Sequence, residues 1–352
     1  MTQYCRDTIA AMSGYVPGEQ PRDRRYIKLN TNENPYPPSP RVAAALRAFS
    51  FDRLRLYPDP MADELRDLAA EQAGLDRDWV LFGNGSDDLL TMAVRTFVDQ
   101  GAALAYPDPT YSLYPVLAAI QGARTVTIPL DERFELPADA VEQAEDARLL
   151  FLARPNAPTG TAFPMVRMRA VCRDFSGVVW IDEAYADFAS DTCLELVREF
   201  ENVVVSRTFS KSFSLAGVRL GYAYGHPGLV SEMLKVKDSY NVNMLTQALG
   251  AAALRDRAAM EANAGRVRVT RDRVAEALRE RGFEVLPSQA NFLFAAPPVE
   301  ASAYMNGLRE NGILVRYFPG GRTGRYVRVT IGTDEDMDTF LEVTDRLVGG
   351  CG

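Results

Sequence analysis

The chain has 352 residues, enough for two domains if a domain takes about 150 residues. Hydrophobic residues make up 47% and charged residues 24% of the chain, a composition typical of a globular protein with sizeable cores. The net charge of −8 provides no basic field that would draw the chain to nucleic acid or to an anionic membrane. No apolar stretch is long enough to span a membrane, and residues 1–10 lack a basic leader, so we predict a cytoplasmic protein.

The cysteines and the histidine exclude several kinds of chemistry. The four cysteines have neither CxxC nor metal-like spacing, which predicts no disulfide framework and no metal site: Cys5, Cys172, Cys193 and Cys351. The single histidine, His226, precedes Pro227-Gly228 and could serve a Ser-His-Asp triad only from a turn. An enzyme of this composition would take its chemistry from a lysine, a carboxylate or a cofactor.

The N-terminal two thirds of the chain predict an α/β architecture. The first forty residues contain too many prolines for a long helix and predict an extended arm. A helix is predicted at residues 63–73, ending at Gly74. Short apolar runs then alternate with helix-length segments, which favours a mostly parallel sheet covered on both faces; the runs are residues 79–82, 102–105, 125–128, 149–152, 178–181, 203–205 and 220–224.

The C-terminal third predicts a smaller unit. Residues 229–281 have a helical pattern that ends at Gly282, and strands near 292–294, 313–316 and 327–331 then alternate with helices at 301–310 and 334–348. We therefore predict an arm that begins the small domain (1–45), a large α/β domain that carries the ligand site (46–250) and a small α+β domain (251–352).

The predicted strand ends are where an open α/β sheet binds its ligands. After the first run come Gly83-Asn84-Gly85-Ser86-Asp87-Asp88 and an apolar helix. This segment fits a phosphate cradle at a helix N-terminus as well as it fits a plain tight turn. The third glycine of a dinucleotide-binding fingerprint is missing, because Asp88 stands in its place.

Two further strand ends carry charged residues. Asp182 follows the run 178–181, where a buried carboxylate needs a cation or strong donors; a protonated ring nitrogen, a helix N-cap or a magnesium site would each fit. Lys211 lies in a hydroxyl-rich stretch eight residues before Arg219. A lysine there can form a Schiff base, and Arg219 with Thr208 and Ser210 can hold a phosphate, although a solvated surface lysine fits the spacing alone.

The three features are expected at one edge of one sheet. A phosphate cradle, a buried carboxylate and a lysine–arginine pair match the phosphate, the pyridinium nitrogen and the aldehyde of pyridoxal 5'-phosphate. In addition, eleven short motifs occur in a family's order: residues 30–36, 57–59, 83–88, 109–111, 158–160, 182–185, 208–211, 215–219, 240–243, 291–292 and 327–333. On these motifs the chain resembles the fold-type-I aminotransferases that use pyridoxal 5'-phosphate, and within them the class II branch that contains the histidinol-phosphate aminotransferases.

The resemblance implies a role for each matching residue. Lys211 would form the Schiff base and carry the proton, Asp182 would keep the ring nitrogen protonated, and Tyr185 would bind the ring's 3-oxygen. Tyr111 would stack on the ring. The phosphate would be held by residues that offer N–H, hydroxyl or guanidinium groups: Gly85, Ser86, Asp87, Thr208, Ser210 and Arg219. Tyr57 would reach the neighbouring site across the two-fold interface of a homodimer.

Two positions depart from the family pattern. The family usually has Asn-Asn-Pro-Thr-Gly, in which the asparagine before proline donates to the 3-oxygen, but this chain has Asn156-Ala157-Pro158-Thr159-Gly160. Alanine cannot donate, so Tyr185 acts alone, or a water or Asn156 replaces the donor. The loss of a bond to a charged oxygen costs about 1.5–3 kcal/mol and should raise the pKa of the Schiff base. Ser214 also stands where a glycine is common.

The resemblance also predicts the substrate. Arg316 and Arg328 resemble the family's anion-binding arginines, whose fork fits both carboxylate and phosphate; Tyr15 and Asn30 are expected as further substrate contacts. This implies transamination of histidinol phosphate with 2-oxoglutarate, a step of L-histidine biosynthesis, by a ping-pong mechanism. The same scaffold also serves aromatic amino-acid transamination and threonine-phosphate decarboxylation. A cofactor-binding regulator or a nucleotide-binding protein are alternatives of another class, and the intact Lys211, Asp182 and Arg219 argue against both.

Overall fold

The computed structural model describes residues 4–349, so Cys351 lies outside the described residues. The first segment is the predicted extended arm. It contains only a five-residue helix, α1 (Asp7–Ala11), and a three-residue strand, β1 (Ile27–Leu29), before α2 (Pro40–Ala48) begins. Pro40 occupies the first turn of α2, and the Ser39 side chain caps this helix by accepting from the Arg41 N–H, as expected at a helix start.

The large sheet has seven strands: β2 (Val80–Gly83), β3 (Ala103–Asp108), β4 (Arg124–Pro129), β5 (Ala147–Ala153), β6 (Val178–Asp182), β7 (Val203–Thr208) and β8 (Gly221–Gly225). Their order is β2-β8-β7-β6-β5-β3-β4, and only β8 runs antiparallel to its two neighbours. Each strand covers one of the apolar runs in the sequence. The central strands are buried on both faces, which is why they appear as continuous apolar runs.

Helices cover both faces of this sheet: α3 (Asp63–Ala73), α4 (Ser86–Phe97), α5 (Leu113–Gln121), α6 (Ala140–Gln143), α7 (Met165–Asp174), α8 (Leu196–Glu199) and α9 (Pro227–Val236). Helix α3 ends as predicted, at Gly74 in the left-handed conformation (φ 62°). His226 is the N-cap of α9 and its ring accepts from the Gly228 N–H at 3.2 Å.

The helical segment predicted at residues 229–281 is divided into three helices. The helical conformation is interrupted after α9 and resumes in α10 (Met244–Leu254) and α11 (Arg257–Glu280). The first break is fixed by Asn243, whose side chain accepts from the Thr246 N–H at 2.9 Å and caps α10. A capping bond of this kind starts a new helix even though apolar residues continue on both sides.

The small sheet joins the two ends of the chain. It contains β9 (Glu284–Val285), β10 (Phe292–Ala296), β11 (Ile313–Tyr317) and β12 (Val327–Thr330), in the order β1-β11-β12-β10-β9. β1 pairs parallel to β11, and the other pairs are antiparallel. Helices α12 (Ala301–Glu310) and α13 (Asp334–Gly349) complete this unit. The arm therefore contributes a strand to the C-terminal sheet, while the boundaries at residues 45 and 250 stay a prediction.

The core extends through both units. One apolar cluster includes side chains of both sheets, and a second cluster lies between the large sheet and helices α4, α5 and α9. Trp180 and Phe151 are fully buried in the second cluster and pack edge to face at 6.3 Å. In residues 4–349, none of the helices is both long enough and apolar enough to cross a bilayer.

Candidate active site

A cavity of about 250 Å³ opens at the carboxyl ends of the large-sheet strands, facing the small sheet. Its walls include almost all the residues that the sequence analysis singled out: Tyr15, Asn30, Ser86, Asp87, Tyr111, Asp182, Tyr185, Thr208, Ser210, Lys211, Arg219, Arg316 and Arg328. Two predicted residues do not line it. Gly85 belongs to the turn before α4 but is not part of the cavity wall, and Tyr57 lies on the exterior.

The predicted phosphate cradle is the turn between β2 and α4. Gly85 has φ 90°, and a Cβ there would lie 2.6 Å from Nη2 of Arg219, so only glycine lets the guanidinium approach. Arg219 donates to the Ser210 hydroxyl (3.1 Å) and to Asp87 Oδ2 (3.4 Å). The N-terminus of a twelve-residue helix, two hydroxyl-bearing residues and a guanidinium thus converge on one wall, an arrangement that suits an oxyanion.

Asp88 explains why the turn lacks a third glycine. Its Oδ2 accepts from the Asn84 N–H (2.8 Å) and from Nδ2 of Asn241 (3.1 Å). The Asp88 side chain therefore stabilises the turn through the Asn84 N–H and connects it to Asn241, which lies in the segment before α10. The tight turn and the cradle are the same structure, so the two interpretations of this segment do not exclude each other.

Asp182 ends β6 and is almost completely buried. One oxygen accepts from the Tyr114 hydroxyl (3.0 Å) and the other from the Ala184 N–H (3.2 Å). Within residues 4–349 no arginine or lysine forms an ion pair with it, and burial raises its pKa to about 6 despite these two bonds. A carboxylate held in this way favours a cationic partner from a ligand in the cavity.

Tyr114 is a site residue that was not predicted from the sequence. This tyrosine lies in α5, three residues after Tyr111, and its ring is fully buried. Tyr111 lines the cavity and donates to Asp87 Oδ1 (3.2 Å), while Tyr114 donates to Asp182 behind it. The Tyr114 N–H donates to the Tyr111 carbonyl (3.1 Å) and the two rings pack edge to face at 5.6 Å, so the spacing of the two tyrosines after the predicted strand 102–105 is a usable signal.

Lys211 follows β7 and lies at the centre of the cavity. Burial and, to a smaller extent, the charge of Arg328 lower its pKa to about 8. Its Nζ donates to the Thr31 carbonyl at 3.3 Å. The Asn34 amide donates to the carbonyls of Lys211 (3.0 Å) and Ser212 (3.2 Å) and so fixes the turn that carries the lysine. A buried amine with a lowered pKa is a competent nucleophile and base near neutral pH.

Tyr185 lies beside Ala157, the position that departs from the family pattern. Its ring packs edge to face on Phe292 at 5.1 Å, and Ala157, Ala290 and Phe292 form an apolar cluster against it. Asn156 cannot replace the missing donor. Its amide nitrogen already donates to Pro109 O and Thr159 Oγ1 (3.0 Å each), and its oxygen accepts from Thr110 (2.8 Å).

Ser214, the second departure, has φ 61°. This left-handed conformation favours glycine, which explains why glycine is common there. The serine hydroxyl is buried and lacks a hydrogen-bond partner among the described residues.

Arg316 and Arg328 face the same cavity from the small sheet. The Arg328 side chain lies between the rings of Phe292 and Phe318, 5.3 Å from each centroid, and donates to the Asn30 carbonyl at 3.0 Å. Its Nε is buried without a partner in the described chain, and burial lowers its pKa. Arg316 donates to the carbonyls of Val16 (3.1 Å) and Pro17 (3.2 Å), so it also holds the arm against the cavity.

The arm supplies the remaining predicted contacts. Tyr15 packs edge to face on Tyr111 at 6.0 Å and lines the mouth of the cavity. The Asn30 amide donates to the Glu19 carbonyl at 2.9 Å, so this side chain holds the arm in place, and its oxygen is buried without a partner in residues 4–349. Tyr57 is 78% exposed and stacks on Tyr240 at 4.5 Å, outside the cavity of its own chain.

The fold and the cavity define a class of enzyme: a mixed α/β protein with an oxyanion cradle, a buried carboxylate without a cation and a nucleophilic lysine at one sheet edge. The family model "Aminotransferase class I and II" matches residues 24–343, and the chain belongs to this family. The predicted fold class, family and enzymatic nature are confirmed.

Within this family, the chain is similar to several histidinol-phosphate aminotransferases. The chain is 47% identical to the histidinol-phosphate aminotransferase of Synechocystis sp. over 348 residues, 99% of each chain. It is 44% identical to that of Microcystis aeruginosa over 345 residues, 98% of each chain. A crystal structure of histidinol-phosphate aminotransferase from Sinorhizobium meliloti in complex with pyridoxal-5'-phosphate superposes with a TM-score of 0.91 at 25% identity, covering 100% of this chain and 99% of that one.

Proposed function

We propose that this chain transaminates histidinol phosphate with 2-oxoglutarate in L-histidine biosynthesis, and that the residues gathered in the cavity perform the reaction. Two relatives that are 47% and 44% identical over nearly their full length are named histidinol-phosphate aminotransferases. The observation that carries the proposal is the placement of two arginines, Arg316 and Arg328, on the cavity that also contains Lys211. Guanidinium groups at this position suit a substrate with an anionic end.

Pyridoxal 5'-phosphate is the cofactor of this enzyme, and the cavity of this chain fits it. A phosphate would be held by the cradle, through the N–H groups of Ser86 and Asp87, the hydroxyls of Thr208 and Ser210, and Arg219. A protonated ring nitrogen would provide the cation that Asp182 lacks among the described residues. Tyr111 would cover the ring and Tyr185 would donate to its 3-oxygen. Each end of the molecule thus meets a group of complementary charge.

The chemistry that the cofactor supplies when bound is an aldehyde that condenses with amines and a ring that withdraws electrons from the substrate's Cα. Lys211 would hold the aldehyde of the cofactor. Its Nζ, when free, would act as the base that takes the proton from the substrate's Cα. Its lowered pKa of about 8 makes the neutral base accessible near physiological pH.

The same two arginines serve both substrates in turn. Histidinol phosphate offers a phosphate and no carboxylate, whereas 2-oxoglutarate and glutamate offer two carboxylates. A guanidinium binds either anion with two parallel hydrogen bonds. Because the first product leaves before the second substrate enters, one anion site is sufficient for a ping-pong cycle.

The purified protein, loaded with the cofactor, tests the substrate assignment. We expect histidinol phosphate to convert the bound cofactor to its amine form in stopped-flow absorbance at a far lower concentration than phenylalanine or threonine phosphate does. The 2-oxoglutarate half-reaction should then restore the starting spectrum. A preference for phenylalanine would favour an aromatic aminotransferase, and carbon dioxide release from threonine phosphate would favour a decarboxylase; either result would overturn the proposal.

We also propose that the enzyme is a cytoplasmic homodimer in which Tyr57 completes the partner's site. Support comes from the exposed apolar side chains around Tyr57, among them Phe51 (83% exposed) and Leu54 (56% exposed). The free thiols Cys172 and Cys193, both buried, suit a reducing compartment.

Complementation tests the shared site. Lys211→Ala chains and Tyr57→Phe chains should each be impaired alone. Mixed dimers should regain one intact site, made of Lys211 from one chain and Tyr57 from the other. Recovery of activity on mixing is the expected result, and no recovery in dimers that demonstrably exchange subunits would contradict a shared site.

A further inference from the structure

Asn32, a residue of the arm, connects the two units of the enzyme inside the cavity. It is 1% exposed and has a left-handed backbone with φ 54°. Its Nδ2 donates to the hydroxyl of Tyr185 at 2.9 Å. Tyr185 belongs to the large α/β unit, whereas the other side-chain partners of Asn32 belong to the small unit: Thr330 lies on β12 and Asn291 directly precedes β10.

The small sheet fixes the orientation of this amide. The Thr330 hydroxyl accepts from the Asn32 N–H (3.0 Å) and donates its single proton to Asn32 Oδ1 (2.9 Å). Asn291 donates to the Asn32 carbonyl (3.1 Å). The opposite orientation of the amide would leave the Thr330 hydroxyl proton without an acceptor among the described residues, so the network favours the amide nitrogen facing Tyr185.

The bond has a consequence for the phenol. Within residues 4–349, Asn32 is the one hydrogen-bond partner of the Tyr185 hydroxyl, and it acts as the donor. The neighbouring wall is apolar, since Ala157, Ala290 and Phe292 pack there. With a lone pair occupied by Asn32, the phenol retains its own proton for a partner in the cavity.

We propose that Asn32 is a positioning residue: it aims the Tyr185 hydroxyl at the bound cofactor and ties that hydroxyl to the strand that carries the substrate arginine. Arg328 and Thr330 lie two positions apart on β12 and therefore on one face of the sheet. The position of the Tyr185 hydroxyl is thus fixed by the small unit, which carries Arg328, as well as by the large unit to which Tyr185 belongs. This inference rests on the proposed function, because it assumes that Tyr185 meets the cofactor.

A further property of the bond is its effect on acidity. Burial raises the pKa of Tyr185, and the N–H of Asn32 acts in the opposite direction, because a donor favours the charged phenolate. Loss of the donor should therefore make Tyr185 a weaker hydrogen-bond donor to the cofactor.

The test combines Asn32→Asp with Tyr185→Phe in a double-mutant cycle. Aspartate keeps the size and tolerates a positive φ, but it offers an oxygen where the amide nitrogen donated. Two quantities are measured: the dissociation constant of pyridoxal 5'-phosphate from the empty protein, and the pH midpoint of the visible absorbance of the loaded protein. We expect about tenfold weaker binding and a midpoint about one pH unit higher in Asn32→Asp. In the Tyr185→Phe background, Asn32→Asp should change binding by less than about twofold.

Two further variants keep the result interpretable. Asn32→Gly preserves the backbone conformation, adds no charge and should shift the midpoint in the same direction. Asn202→Asp is the matched control, because Asn202 is a partly buried asparagine that donates to three backbone carbonyls far from the cavity; it should leave the midpoint unchanged. An unchanged midpoint in both Asn32 variants, or an equal loss of cofactor binding with and without Tyr185, would overturn this inference but not the proposed function. A wild-type protein that binds no cofactor would overturn the proposed function as well.

Discussion

Arg316 and Arg328 lie directly opposite each other on β11 and β12, paired in register across two antiparallel strands. Two like charges in this position repel each other, and the effect is strong here because Arg328 is buried between two phenylalanine rings. An anion placed between the guanidinium groups relieves the repulsion. The pair is therefore arranged for a ligand, at some cost to the empty protein.

The first prediction concerns the shared anion site. Arg328→Lys keeps the charge but loses the planar fork, so both half-reactions should slow by about 10-fold to 100-fold, equivalent to about 1.5–3 kcal/mol. Single-turnover absorbance with histidinol phosphate and with 2-oxoglutarate measures the two rates separately. Arg325→Lys, on the exposed side of the same unit, is the control and should be neutral. A defect in only one half-reaction would mean that the arginines are not shared.

The second prediction concerns the protonation of Lys211. Only the neutral amine attacks an aldehyde, and burial together with Arg328 lowers the pKa of this lysine to about 8. The rate of cofactor attachment to the empty protein should therefore rise with pH and level off above about pH 8. A rate that keeps rising toward the ordinary lysine value of 10.5 would contradict the burial of this amine in the empty state.

The third prediction concerns the stability of the empty protein. Burial raises the pKa of Asp182 from 3.8 to about 6, so the folded chain keeps a proton that the unfolded chain loses as pH rises through this window. The contribution of Asp182 to the free energy of unfolding thus falls between about pH 4 and pH 6. The full penalty, about 3 kcal/mol, applies above pH 6.

Asp182→Asn should remove this penalty. The empty variant should unfold at higher urea concentration than the empty wild type at pH 8, by about 1–3 kcal/mol, while the two should be similar at pH 4. The same variant should bind the cofactor more weakly and turn over far more slowly, because the ring nitrogen loses its anionic partner. Equal stability at pH 8 would show that the Asp182 carboxylate is satisfied without a ligand.

The fourth prediction concerns the wall beside Tyr185. Ala157→Asn adds a donor next to Ala290 and Phe292, and it should lower the pH midpoint of the cofactor's visible absorbance by about one unit. Ala157→Leu has a similar size without a donor and should not lower it. If Ala157→Asn leaves the midpoint in place, another group already provides this hydrogen bond.

The residues at the strand ends were accessible from the sequence. Asp182 and Lys211 follow apolar runs, and the carboxyl ends of parallel strands meet at one edge. Arg219 precedes β8, which runs antiparallel and therefore begins at that edge. The structure brings all three to one cavity. The end of α3 at Gly74 was also predictable. The strands of the large sheet were predictable because their burial on both faces produces continuous apolar runs.

Contacts made across the chain were not accessible. Asn32 meets Tyr185, 153 positions away, only because β1 adds to the C-terminal sheet. A three-residue strand in a proline-rich arm has no periodicity to detect. The break between α9 and α10 depends on capping at Asn243, which an apolar pattern does not reveal. Tertiary context decided the first of these features, and a local capping bond decided the second.

The most direct test of the account is to find where the cofactor attaches. The chain has four lysines, Lys28, Lys211, Lys235 and Lys237, so borohydride reduction of the loaded protein followed by peptide mass mapping gives an unambiguous answer. The account predicts the pyridoxyl label on Lys211 alone, together with loss of the label and of transamination in Lys211→Ala. A label on any of the other three lysines, or turnover by Lys211→Ala, would contradict it.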